Sequence, residues 1–202
     1  MQIIQGDCLE EMPKIADKSI DLLITDPPFG LKGEEAIEIT EEALKIGFHK
    51  SKLMIVIMDW RFNHRISALF EKDKVGEMIW ENGWVSGGRS KAKSGIIPTH
   101  NIILFFGDIK KFHFTKGSII KRQPGFSSPR QCSYAKKSGH PYEKPIKLME
   151  YLIGNTDCQS IIDPFAGSGT TGVACQNLKR DFILIEKEPK YVEIIKQRLT
   201  LL

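Results

Sequence analysis

At 202 residues, 41% of them hydrophobic, the chain can bury one sizeable core but is too short for a catalytic domain joined to a large separate recognition domain. It opens MQIIQGDCLEEMPK, with no basic stretch ahead of an apolar one, and has no run of eighteen apolar residues. That pattern predicts a cytoplasmic protein without a membrane segment. Net charge is +4, yet residues 87–138 hold eleven Lys or Arg against the single acid Asp108, leaving −6 for the remainder, so a polyanion docking there would gain affinity by releasing counterions.

In chain order, residues 20–25 (IDLLIT) form an apolar run cut off by Asp-Pro-Pro, the pattern of a buried parallel strand. Helical spacing of Ala36, Ile37, Ile39, Ala43, Leu44 and Ile46 predicts a helix over 34–47, and LMIVIM over 53–58 a second buried strand. A short helix over 63–70, capped by Asn63, comes next. Residues 77–80 and 101–106 (NIILFF) read as strands joined by the Gly- and Lys-rich loop WVSGGRSKAKSGIIPTH, and 107–139 as an irregular insertion. Pro145 opens a helix that runs to Ile153, with proline in its first turn. The last third is a strand at 160–163, a glycine turn, a helix at 170–178, a strand at 182–185 and a helix at 189–199, which contains a βαβ unit. Cys8, Cys132, Cys158 and Cys175 form no C-x-x-C pair, and the histidines lack metal spacing, so reduced thiols and no metal are expected.

The glycine turn, D-P-F-A-G-S-G-T, spans residues 163–170, and its Gly167 and Gly169 allow a ligand close to the backbone. Residues 167–172, GSGTTG, match the G-x-G-x-x-G spacing of dinucleotide sites, but Asp163 and Pro164 in front of them argue against a pyrophosphate. A carboxylate at the end of that strand repels phosphate and attracts an ammonium or sulfonium, so S-adenosylmethionine fits better than NAD. Glu186 ends the next strand, about twenty residues on, where a carboxylate can accept both ribose hydroxyls. Asp163, Phe165, Ala166, Gly167, Ser168, Gly169, Thr170, Glu186 and the adjacent Lys187 are therefore the candidate cofactor residues.

D-P-P-F, residues 26–29, follows a buried strand, which in an open α/β sheet places it at the carboxyl edge where ligands bind. An exocyclic amine on a nucleobase is a poor nucleophile because its lone pair is delocalised into the ring. The Asp26 carboxylate and the Pro27 carbonyl are two acceptors that can draw its hydrogens out of plane and aim the nitrogen at a methyl sulfonium. Such alignment contributes about 7–11 kcal/mol without a covalent nucleophile. Pro28 stiffens the turn, and Phe29 is placed to stack on a base that has left its helix. Taken alone, D-P-P-F is an ordinary turn after a strand.

Together, and with D-P-P-F ahead of the glycine turn, the motifs resemble the N6-adenine and N4-cytosine DNA methyltransferases of the β arrangement. The resemblance covers nearly the whole chain, including G-D-C-L-E at 6–10, S-I-D-L-L-I-T-D-P-P-F-G ending at Gly30, and H-P-Y-E-K-P at 140–145. It implies a Rossmann-like α/β fold, a mostly parallel seven-stranded sheet with helices on both faces, in one domain with circularly permuted motif order and termini where that permutation puts them. It further implies S-adenosylmethionine as cofactor, contacted by Asp7 and Cys8 at its adenine, by Lys144 and Pro145 at its methionine part, and by Asp26. Double-stranded DNA is the implied partner, and the family's habit of pairing subunits implies a homodimer. Asp rather than Ser before Pro-Pro favours adenine over cytosine; Phe29 stands where Tyr is usual and keeps the stacking face.

Residues 77–106 resemble the family's substrate-facing arm, and a basic arm with a short target-recognition insertion is expected at about 83–139. Within it Arg89, Lys91, Lys93, Lys121, Arg122, Arg130, Lys136 and Lys137 are the candidate phosphate contacts, while Phe112, Phe114, Phe126 and Tyr134 are each better read as packing. Trp60, Trp80 and Trp84 read as core or arm anchors. Other readings are cytosine N4 or RNA as acceptor, a catalytically silent DNA-binding module, and an oxidoreductase built on GSGTTG, which leaves D-P-P-F without a job.

Overall fold

Each apolar run in the sequence becomes a strand whose alternate side chains enter cores on opposite faces of one sheet. The computed structural model describes residues 1–28, 34–81, 100–115, 117–121, 126 and 143–200. Among these are eight strands: β1 (Gln2–Gln5), β2 (Ile20–Thr25), β3 (Ser51–Met58), β4 (Lys74–Trp80), β5 (Asn101–Phe106), β6 (Ile119–Ile120), β7 (Ser160–Asp163) and β8 (Asp181–Glu186). They are joined by α1 (Cys8–Glu11), α2 (Glu34–Lys50), α3 (Asn63–Leu69), α4 (Ile146–Gly154), α5 (Thr170–Asn177) and α6 (Pro189–Thr200). Strand order is β1-β8-β7-β2-β3-β5-β4-β6, and β5 alone runs against the others. The expected seven strands become eight through the two-residue β6 at the edge.

Leu22, Ile24, Leu53, Ile55 and Ile57 point to the face covered by α4, α5 and Ile195 of α6. Leu23, Met54, Val56 and Met58 point to the other, against α2, α3 and Cys8 of α1. This is the doubly wound arrangement, with near-continuous apolar strands because both faces are buried. At the amino end of β2, Asp21 Oδ2 accepts from the Gln159 and Ser160 amides at 3.0 and 3.1 Å, and Ser160 Oγ accepts from the Asp21 amide at 2.9 Å. Those bonds lock the register of β2 on β7.

Two helix starts differ from what the sequence predicts. Asn63 does not cap α3; Asp59 caps the 3₁₀ turn Trp60–Phe62 before it, and the Asn63 side chain instead accepts from Ser67 Oγ at its Oδ1, at 2.8 Å. Pro145 sits at the N-cap of α4 with extended ψ 131, one residue ahead of the first turn. β1 and α1 carry too few residues for a periodicity to show.

Candidate active site

From β7 the chain passes through α5 to β8 on one side, and from β2 through α2 to β3 on the other. Strand order therefore reverses between β7 and β2, which opens a crevice at their carboxyl ends, the usual ligand position in such sheets. Both sequence motifs end at that crevice: Asp26 directly follows β2 and Asp163 ends β7.

Asp26 is partly exposed and forms an ion pair with Lys144 Nζ. Burial raises its carboxyl from the usual value, while the adjacent ammonium pulls the other way. Pro27 is buried and Pro28 half-buried; Phe29 lies outside the described residues. Thus residues 118 positions apart, from D-P-P-F and from E-K-P, meet as a carboxylate and a cation. Pro145, buried behind Lys144, starts α4.

Asp163 has a different place from the expected one. It is 4% exposed, and its carboxylate accepts from Thr25 Oγ1 at 2.8 Å, from the Phe165 amide at 3.1 Å and from Thr171 Oγ1. Burial pushes its pKa up to about 6 against the pull of those donors. Rather than facing a cationic ligand, it ties the last residue of β2 to the glycine turn and the first turn of α5. The turn itself needs its glycines: Gly167 and Gly169 have φ of 54° and 80°, and a Cβ on Gly169 would lie 2.9 Å from Ile195 Cγ1. Phe165 is half-buried, and Ala166, Ser168 and Thr170 are buried, so much of what this turn offers a ligand is backbone.

Glu186 ends β8 half-buried, with Oε2 accepting from the Gly167 amide and Oε1 from the Glu188 amide, both at 2.8 Å; burial raises its pKa. Asp7 caps α1 through the Leu9 amide at 2.9 Å and accepts from the exposed Lys187 at the same distance, the Lys187 bond foremost in holding its pKa down. Asp7, Glu186 and Lys187 therefore share the carboxyl ends of β1 and β8. Cys8 does not: its side chain packs into the core, where burial raises the thiol to about 12, leaving its backbone as the part near the site.

Residues 20–197 match the family model for N6_N4_Mtase, DNA methylase. The chain belongs to this DNA methylase family. It is 27% identical to the type II methyltransferase M.HpaI of Haemophilus parainfluenzae over 236 aligned positions, which cover 98% of this methylase and 74% of that protein. Since 236 exceeds the 202 residues present here, the relative carries insertions. Among solved structures, the M1.HpyAVI–SAM complex superposes with a TM-score of 0.70 at 27% identity, covering 98% of both chains. The cytosine-N4-specific PvuII DNA methyltransferase superposes at 0.77 with 22% identity, covering 97% of this chain and 85% of its own, a likeness of fold.

Of the methylase's candidate phosphate contacts, Lys121 is exposed just past β6, at the carboxyl edge. Arg89, Lys91, Lys93, Arg122, Arg130, Lys136 and Lys137 lie outside the described residues, as do Trp84 and Tyr134. Phe112 and Phe114 pack edge-on against Phe105, and Phe126 against Tyr151, as read. Trp80 is a buried anchor whose Nε1 donates to the Phe126 carbonyl at 2.8 Å, but Trp60 is 46% exposed past the carboxyl end of β3. Sequence reasoning did not single out Thr25, Thr171, Glu143 or Arg198. Glu143, Thr25 and Thr171 were within the quoted motifs; Arg198 carried no signal.

Proposed function

We propose that this methylase transfers the methyl group of S-adenosylmethionine to the exocyclic N6 of an adenine flipped out of double-stranded DNA. The observation that carries the reading is the position of Asp26: a partly exposed carboxylate at the β2/β7 crevice, next to Thr25, which is bonded to the glycine turn through Asp163. The residues fit such a cofactor. Glu186, beside Gly167, would offer its carboxylate to the ribose hydroxyls, Asp7 would contact the adenine, and Lys144 and Pro145 would hold the methionine tail. The cofactor supplies an electrophilic methyl on sulfur.

Asp26 and the Pro27 carbonyl accept the two amine hydrogens, turning the nitrogen lone pair out of conjugation and along the line of attack. As the N–C bond forms and the C–S bond breaks, the amine becomes cationic, and Asp26 takes its surplus proton and passes it to solvent. Lys144 favours the carboxylate form of Asp26, the form that accepts. Phe29 stacks on the flipped base. Arg89, Lys91, Lys93, Lys121, Arg122, Arg130, Lys136 and Lys137 hold the backbone of the duplex, and the arm and insertion at about 83–139 read a short site. Adenine is favoured by Asp, rather than Ser, before Pro-Pro.

The test is transfer of labelled methyl to mixed-sequence duplex DNA, followed by nucleoside digestion and mass spectrometry. N6-methyldeoxyadenosine is expected. N4-methyldeoxycytidine would keep the mechanism and overturn the base, and label in RNA but not DNA would overturn the acceptor. Asp26→Ala is expected to lower turnover by at least about 100-fold while sparing S-adenosylhomocysteine binding; full residual activity removes Asp26 from the mechanism. Subunit pairing is read by light scattering with and without duplex, and monomer in both rejects a dimer.

A further inference from the structure

Two segments frame the methionine end of the proposed pocket: the glycine turn after β7 and the Glu143-Lys144-Pro145 turn before α4. They come from opposite ends of the α4–β7 connection, and Pro145 has no amide hydrogen with which to tie them together. What joins them comes from a third element. Arg198, on α6, donates through Nη1 to Ser168 O and Ser168 Oγ, each at 2.9 Å, and its Nη2 lies 2.7 Å from Glu143 Oε1. The Arg198 and Glu143 side chains are 18% and 12% exposed, so the bridge is largely shielded from water and salt.

We propose that Arg198 is a positioning residue that clasps the Glu143-Lys144-Pro145 turn to the glycine turn and thereby sets the methionine-binding wall of the cofactor pocket. The role rests on the cofactor assignment proposed above. Arginine suits it because a planar guanidinium presents separate donors to two partners in a fixed geometry, which a lysine ammonium does not. Its own position is fixed by Ile195, one turn earlier on α6, packed where Gly169 lacks a side chain.

A bridge that merely anchors α6 would affect all ligands alike, whereas the clasp acts on the amino-acid end. Calorimetric titrations with S-adenosylhomocysteine and with 5′-methylthioadenosine, which lacks the amino-acid tail, separate the two. Arg198→Met is expected to weaken S-adenosylhomocysteine about tenfold or more, with 5′-methylthioadenosine changed less than about threefold. In turnover the loss should fall on KM for the methyl donor rather than on kcat. Glu143→Ala should show the same selective loss, and the double variant little more than either single one, because all three remove one bridge. If Arg198→Met does not fold, Arg198→Lys at the same bridge is expected to show the selective loss at about threefold or more. Equal weakening of both ligands, or unchanged S-adenosylhomocysteine affinity in the folded variants, overturns the clasp. Wild-type protein that binds neither ligand overturns the cofactor assignment itself, and the clasp with it.

Discussion

Asp163 accepts three hydrogen bonds inside the protein, and nothing in the sequence announces two of its partners. Its strand-end position before a glycine turn was legible; that it would face inward was not, because Thr25 is 138 residues away and the hydroxyl that decides the matter looks like any other. Its pKa, about 6 against an ordinary 3.8, makes the network measurable. A carboxyl whose pKa is raised by folding stabilises the fold fully below its unfolded value, and that contribution is lost as pH rises through the folded one. Asp163→Asn removes the titration. The stability advantage of the wild type over this variant should therefore shrink by about 2 kcal/mol between about pH 4.5 and about pH 7.5, as read from urea midpoints of both proteins. A constant difference across that range would mean that Asp163 does not titrate there.

Among the elements, the strands were the most legible, since both faces are buried and six-residue apolar runs between turn residues have few other uses. β2, β5 and β7 have the bounds their sequences predict. α2 runs three residues past the predicted stop at Gly47, for a physical reason. Glycine near the end of an apolar period reads as a C-cap, yet here it lets α2 press on β2: a Cβ at Gly47 would lie 2.1 Å from Leu23 Cδ1. The actual terminus is closed from afar, by Lys18 Nζ donating to the Phe48 and Ser51 carbonyls at 2.9 and 2.7 Å. Gly47→Ala is consequently expected to destabilise by about 1–3 kcal/mol by overpacking against Leu23, although alanine favours an open helix by about 1 kcal/mol. Chemical denaturation checks the sign, and a more stable variant would show that α2 and β2 are not in close contact at this point.

At the scale of the molecule, the basic segment that reads as one stretch is divided by the sheet. β5 runs against its neighbours, with Ile102 beside Met58 and Phe106 beside Met54, and so carries the chain from the carboxyl edge to the amino edge. Lys110 and Lys111 follow it there, near Asp73, whose carbonyl accepts from the Gly107 amide at 2.8 Å. The chain then returns, and β6, parallel to β4, brings Lys121 back to the carboxyl edge, the edge that holds Asp26. A six-residue strand spans about 20 Å, more than two screening lengths at physiological salt, so charge at the amino edge contributes little to a duplex bound across the crevice. Sequence counts charge along the chain, whereas a bound polyanion counts it along an edge. If the duplex docks as proposed, Lys121→Gln should reduce the slope of log binding constant against log salt by about 1, and the double substitution Lys110→Gln with Lys111→Gln should leave it unchanged. Fluorescence anisotropy of a labelled duplex over a salt series gives both slopes. A larger change from the Lys110 and Lys111 pair would put the duplex at the amino edge, away from the carboxylate that is to act on it, and the proposed docking would fail with the catalytic geometry still intact.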